Sequence, residues 1–204
     1  MKILLLLISG IMGYLFGSIN FAVLIGKIFY KKDVRDYGSG NAGATNVLRV
    51  LGKLPAAVVV VCDMLKGVAA FWVAEKIGDA HGWGIWFAYL SGFAAVMGHN
   101  FPVFFGFRGG KGILTSLALS FMIDWRGAVV ALIVFFIVVI ITRYVSLGSV
   151  LGCAANAVAV FVLPGANPAK VCYITFLAVI AIVKHKTNIK RLINGTENKI
   201  GQKK

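Results

Sequence analysis

Three short polar stretches interrupt an otherwise apolar chain. Each mixes glycine, amide or hydroxyl side chains and a cation. They are Ser39-Gly40-Asn41-Ala42-Gly43-Ala44-Thr45-Asn46, with Arg49 just beyond; Gly98-His99-Asn100-Phe101-Pro102 running on to Gly109-Gly110-Lys111-Gly112; and His185-Lys186-Thr187-Asn188 with Arg191, ending in Gly195-Thr196-Glu197. Glycine lets backbone N–H groups approach an anion closely, and Arg, Lys or His supplies the opposing charge. The chemistry these stretches suit is the holding of phosphate groups.

The second stretch invites comparison with a nucleotide-binding P-loop. It has the glycines and the lysine, but Gly106-x-x-Gly109-Gly110-Lys111 lacks the four-residue gap, and Gly112 stands where Ser or Thr would hold magnesium. ATP hydrolysis is therefore not expected. Phosphate cradling by the backbone and tight helix packing through glycine both remain open. In the first stretch Arg49 can fork across two phosphate oxygens, or serve as a juxtamembrane cation after a helix. In the third, His185, Asn188 and Arg191 would share a face if the preceding helix continued through them. The alternative there is a basic tail lying on anionic headgroups. Asp63 and Lys66, three residues apart inside an apolar segment, read as a structural ion pair, with a Lys66 that reaches a cavity as the other reading.

Several schemes find no support. No Gly-x-Ser-x-Gly elbow, no HExxH and no carboxylate cluster occurs, and Cys62, Cys153 and Cys172 lie in apolar surroundings without ligand spacing. No metal and no cofactor is expected. His81, His99 and His185 are not followed by the His-x-x-x-x-Asp spacing of acyl-CoA-dependent glycerolipid acyltransferases.

The elements that must position these groups are membrane helices. The chain has 204 residues, of which 59% are hydrophobic and 14% charged, against about 25% charged in a typical soluble domain. Apolar runs long enough to cross a bilayer recur. We expect an all-α polytopic membrane protein with seven spans, at 3–26, 55–75, 84–101, 111–123, 127–142, 147–163 and 169–184. A net charge of +14 would suggest nucleic acid in a soluble protein, but here the cations fall between the apolar runs. No nucleic-acid partner is expected. With the N-terminus outside and the C-terminus cytoplasmic, only Lys2, Lys76, Arg126 and Lys170 face outward. Apart from Lys66 inside the second span, the inward segments hold the rest, from Lys27 through Lys111 to Lys203 and Lys204. That orientation, which depends on an odd number of spans, puts all three polar stretches on the cytoplasmic side.

Taken together, the three stretches resemble the motifs of the bacterial acyl-phosphate:glycerol-3-phosphate acyltransferases, the PlsY family. Ser39 to Asn46 matches the first motif, Gly98 to Phe105 with Gly109 to Gly112 the second, and His185 through Glu197 the third, with Arg108 where lysine is common. The resemblance covers the whole chain and implies one membrane-embedded domain, 1–204, with its active site at the cytoplasmic face of the bacterial inner membrane. The implied reaction moves a fatty acyl group from acyl phosphate to the 1-hydroxyl of glycerol 3-phosphate, giving lysophosphatidic acid and phosphate. Its partners are those two substrates and the lipid bilayer, with neither coenzyme A nor acyl carrier protein as direct donor. The resemblance also implies Lys111, His185, Arg49 and Asn188 as catalytic residues. It implies Ser39, Asn41, Thr45, Gly109, Gly110, Gly112 and Ser149 as substrate-binding ones, with Ser146 competing for the role of Ser149. A transporter for a phosphorylated solute would use the same cations. It would also place polar residues along several spans, whereas here they gather at one face. A scaffold that binds anionic lipid through its tail leaves the first two stretches without a purpose.

Overall fold

The computed structural model describes residues 1–202; Lys203 and Lys204, counted above among the inward cations, lie outside them. The described residues are helical with short connections. They form two compact units, Met1–Leu119 and Ser120–Lys204.

In the first unit, α1 (Lys2–Ser18) and α2 (Phe21–Tyr30) form one long apolar stretch with a break at Ile19 and Asn20. Asn20 caps α2 by accepting from the Val23 N–H. A short α3 (Ala44–Val50) takes in the end of the first polar stretch, and α4 (Lys53–Asp79) and α5 (Gly84–Asn100) run after it. Packing rests on small residues that bring backbones together. A side chain at Gly13 or Gly17 would strike the backbone of α5 at Ser91 or Ala95, and one at Gly98 would strike α1 at Tyr14. Such close approach is the usual means of packing helices in lipid, where apolar burial alone gives little drive.

The boundary between units falls inside α6 (Ile113–Thr142), which breaks at Asp124 (φ −152°, ψ 94°). The break expected between the spans 111–123 and 127–142 is thus a one-residue kink. The second unit continues with α7 (Val145–Val162), α8 (Pro168–Lys184) and α9 (Lys186–Ile193). Gly148 and Gly152 of α7 lie against Phe135 and Ala131 of α6. Asn167 caps α8, with Pro168 at its first position.

The expectation of seven spans is corrected. Four helices are long and apolar enough to cross a membrane: Lys2–Tyr30, Lys53–Asp79, Trp125–Thr142 and Val145–Val162. A fifth is reached only if α8 and α9, bent by 57°, count as one broken span. The physical reason is length. The expected span 111–123 is the helix Ile113–Ile123, which at 1.5 Å per residue reaches only about half of the roughly 30 Å hydrocarbon core. The expected span 84–101 becomes the 17-residue α5, which closes on the polar Gly98-His99-Asn100. Apolar composition was counted where helix length decides. The sidedness drawn from seven spans loses its footing with them.

Candidate active site

In the first unit one buried amide organises the first polar loop. Asn46 donates to the carbonyls of Val34 (2.7 Å) and Tyr37 (3.1 Å) and accepts from the Ser39 N–H (2.8 Å) and hydroxyl (3.1 Å). Gly38 has φ +63°, and a side chain there would collide with the Asn46 carbonyl oxygen. The loop is therefore wound around Asn46. Ser39, Asn41 and Thr45 are half-buried on it, and Arg49 is exposed in the last turn of α3. Arg35 ties this loop to the next. Its guanidinium grips Asp33 through two nitrogens (2.9 and 2.7 Å) and donates to the carbonyls of Phe105 (2.7 Å) and Arg108 (3.2 Å). The hydrogen bond from Arg35, helped by Lys27, holds the Asp33 carboxyl well below the usual carboxylate range despite its partial burial.

The glycine-rich strand lies on the end of α5. The Gly110 N–H donates to the His99 carbonyl (3.0 Å). A side chain at Gly109 would strike the carbonyl of His99, and one at Gly110 would strike the His99 ring and the Ala42 carbonyl. Gly112 has φ +75° and sits against Asn100. These glycines are required by close approach, which brings the first and second polar stretches together at Ala42 and Gly110. Lys111, next after Gly110, is half-buried. Beneath the strand, Lys66 bonds Asp63 (2.8 Å) and the His99 Nδ1 (2.9 Å), all three being buried.

In the second unit the organiser is a carboxylate. Glu197 accepts from the Ser146 hydroxyl (2.7 Å), the Asn188 amide (2.6 Å) and the Arg191 Nε (2.6 Å). Burial works to raise its pKa, but the bonds from Arg191, Asn188 and Ser146 outweigh that and hold it below the ordinary glutamate value. Buried His185 stands at the junction of α8 and α9, its Nδ1 2.7 Å from the Ala181 carbonyl. A carbonyl only accepts, so Nδ1 carries a proton and Nε2 is the nitrogen turned away from the helix backbone. The condition for a shared face, a helix continuing straight through His185, is not met, because the chain bends there by 57°, and Asn188 and Arg191 meet instead through Glu197. The Ser149 hydroxyl donates to the Val145 carbonyl of its own helix (2.9 Å).

The sequence matches the family model described as Glycerol-3-phosphate acyltransferase over residues 7–195. The chain belongs to that family. It is 45% identical to the glycerol-3-phosphate acyltransferase of Halalkalibacterium halodurans over 94% of this chain and 93% of that one. It is 43% identical to that of Clostridioides difficile over the whole of both. Among solved structures it is similar to PlsY, an integral membrane glycerol 3-phosphate acyltransferase, in its glycerol 3-phosphate form. That similarity has a TM-score of 0.88 and 37% identity, covering 96% of each chain. The lysophosphatidic acid form gives a TM-score of 0.84 at 36% identity.

Within this acyltransferase, motif reading found the loops and missed their supports. Asn46 stood inside the first motif but gave no sign that it would anchor it. Arg35 was counted only as an inward cation. The ion pair of Asp63 and Lys66 is as expected, but its third member, His99, is 33 residues from Lys66 in sequence, and only the meeting of α4 and α5 joins them. Lys66 is ion-paired with Asp63 and bonds His99 and the Ile19 carbonyl (2.9 Å). Of the two competing serines, Ser146 is bound to Glu197 and Ser149 to the carbonyl of its own helix. Among the described residues, no group of three or more His, Cys, Asp or Glu side chains is placed to hold a metal ion.

Proposed function

We propose that this protein transfers a fatty acyl group from acyl phosphate to the 1-hydroxyl of glycerol 3-phosphate, releasing lysophosphatidic acid and inorganic phosphate. The observation that carries this is the similarity to a solved glycerol 3-phosphate form across nearly the whole chain. We further propose that residues 1–204 work as one acyltransferase domain, which the single family match through both units supports.

The reaction asks for phosphate binding and little else. An acyl phosphate is a mixed anhydride with a good leaving group. The glycerol hydroxyl oxygen attacks the carbonyl carbon, the new ester bond forms, and the anhydride C–O bond breaks with its electron pair leaving on phosphate. Positioning and charge neutralisation can supply much of the rate. In the first unit we assign phosphate contacts to Ser39, Asn41, Thr45, Arg49, the backbone of Gly109, Gly110 and Gly112, and the Lys111 ammonium. In the second we assign them to Ser149, His185 and Asn188. Lys111, Arg49, His185 and Asn188 are the catalytic residues of this scheme.

The hydroxyl proton goes to a phosphate oxygen of the substrate. His185 is oriented by a backbone carbonyl, which lacks the negative charge that stabilises an imidazolium in a Ser-His-Asp triad. Glu197 is a poor base because both its oxygens are engaged and its carboxyl is held ionised. We place the reaction at the cytoplasmic face of the bacterial inner membrane, on the strength of the basic residues that flank the polar loops.

A donor trial on the purified protein tests the reading. With glycerol 3-phosphate as acceptor, acyl phosphate should support turnover, and acyl-CoA and acyl carrier protein should not. Turnover with either thioester and none with acyl phosphate would overturn it.

A further inference from the structure

The buried Asp63, Lys66 and His99 have no part in the scheme above, yet they lie under both polar loops of the first unit. An ionised group at membrane depth is costly, and an apolar residue would pack there without that penalty. Lys66 is enclosed by three acceptors. Its ammonium bonds the Ile19 carbonyl (2.9 Å) and His99 Nδ1 (2.9 Å), and it is ion-paired with Asp63 Oδ1 at 2.8 Å without hydrogen-bond alignment. With Lys66 donating, the His99 ring carries its own proton on Nε2, the edge that faces Gly110. From Lys66 two arms run outward. One goes through Ile19 to the neighbouring Asn20, whose amide donates to the Ala42 carbonyl of the first loop (3.4 Å). The other goes through the His99 ring, which abuts Gly110, while the His99 carbonyl accepts the Gly110 N–H (3.0 Å). The two arms meet again where Ala42 and Gly110 approach one another. Thr115, at the start of α6, closes the base by donating to the Asp63 carbonyl (3.1 Å).

We propose that Lys66, held by Asp63 and acting through His99 and the Ile19–Asn20 break, is a positioning residue that sets the spacing between the first polar loop and the Gly109–Gly112 strand. The consequence for catalysis rests on the reading of these loops as phosphate-binding. Lys66 touches no substrate; it fixes where backbone N–H groups and Lys111 stand.

Two full-length variants in detergent test this. Lys66→Met alone would bury an unpaired carboxylate, so the first is Asp63→Asn with Lys66→Met, which removes both charges together. It should melt near wild type. Backbone amide exchange should nonetheless speed up in both 38–46 and 106–112, and kcat/KM should fall about 10- to 100-fold, as expected when reacting groups move by a fraction of an ångström. The second is His99→Asn, whose amide oxygen can stand where Nδ1 stood and keep Lys66 satisfied, while the ring edge at Gly110 is lost. It should speed exchange in 106–112 and leave 38–46 as it was. A pair that merely stabilises the helices predicts wild-type exchange in both loops for His99→Asn, and that result would overturn the proposal. So would a double variant that folds with both loops exchanging as in wild type. Exchange is read without turnover. Loops loosened as described in a protein that never uses acyl phosphate would therefore sink the functional reading and leave the brace standing.

Discussion

The polar clusters of the two units are built with opposite charge. In the first, a cation, Lys66, is surrounded by acceptors; in the second, an anion, Glu197, is surrounded by donors. Each central group is buried and its bonding is taken up by its neighbours. The lesson is that a charge in a binding motif need not bind the ligand. Lys66 and Lys111 are both cations of the first unit, but one holds the loops and the other stands on them. Arg191 matches a family motif and yet gives its Nε to Glu197, whereas Arg49 ends a helix on an exposed face.

The division between holding and binding charges breaks most visibly at Lys111. Lys111→Ala should leave the detergent melting temperature unchanged while turnover falls roughly 100- to 1000-fold, the about 3–4 kcal/mol typical of one transition-state electrostatic contact. Lys111→Arg should also be poor, because a planar fork does not replace a compact ammonium in a tight glycine loop. A folded Lys111→Ala variant with near-normal turnover would mean that the strand only packs helices.

On the holding side, Glu197→Ala orphans three donors at once. Stability should drop by about 3 kcal/mol, the upper range for hydrogen bonds to a charged group, with Arg191 contributing least because it is partly solvated. Thermal melts would read this directly, and an unchanged melt would move Glu197 to the binding class. Asn46→Ala should cost about 2 kcal/mol by removing the amide's bonds to the Val34 and Tyr37 carbonyls and from Ser39. It should raise KM more than it lowers kcat, because Ser39 loses its partner. Asn46→Asp should be no better, since a carboxylate would face the Val34 and Tyr37 carbonyls.

The smallest effect is expected at the α6 kink. Asp124 accepts from Arg126 (3.0 Å) and Lys170 (3.1 Å), and these bonds, that of Arg126 foremost, pull its carboxyl down from 3.8 to about 2. A depressed carboxyl stabilises the fold above its unfolded pKa and loses that contribution as the pH falls through its folded one. Melting temperature should therefore decline between about pH 4 and pH 2 by an amount matching about 1 kcal/mol for a partly solvated network. Asp124→Asn should flatten that decline. An acid melt identical in the two proteins would remove Asp124 from the holding charges.

Much of the candidate site was legible because the residue types proposed to bind phosphate stand out in an apolar chain. Gly109 to Gly112, Lys111, Ser39 and His185 announce themselves against Leu, Val and Phe. The supports did not, because their meaning lies in who meets whom. Asn46 is one amide among several until Val34, Tyr37 and Ser39 close on it, and His99 is a lone histidine until α5 lays it against α4. The span count failed for a related reason. Ile113–Ile123 is as apolar as a membrane helix should be, and nothing in its composition tells that it ends after 11 residues at the Asp124 break. The bend at His185 was hidden in the same way, since a 3.6-residue periodicity through Asn188 and Arg191 is compatible with both a straight and a broken helix.

The central claim is a one-for-one exchange of an anhydride for an ester. Phosphorus NMR of purified protein with acyl phosphate and glycerol 3-phosphate reads every species in one sample. The acyl phosphate and glycerol 3-phosphate resonances should fall together, with inorganic phosphate and lysophosphatidic acid rising in equal amounts. Phosphate released without lysophosphatidic acid, or glycerol 3-phosphate unchanged while acyl phosphate disappears, would contradict the account.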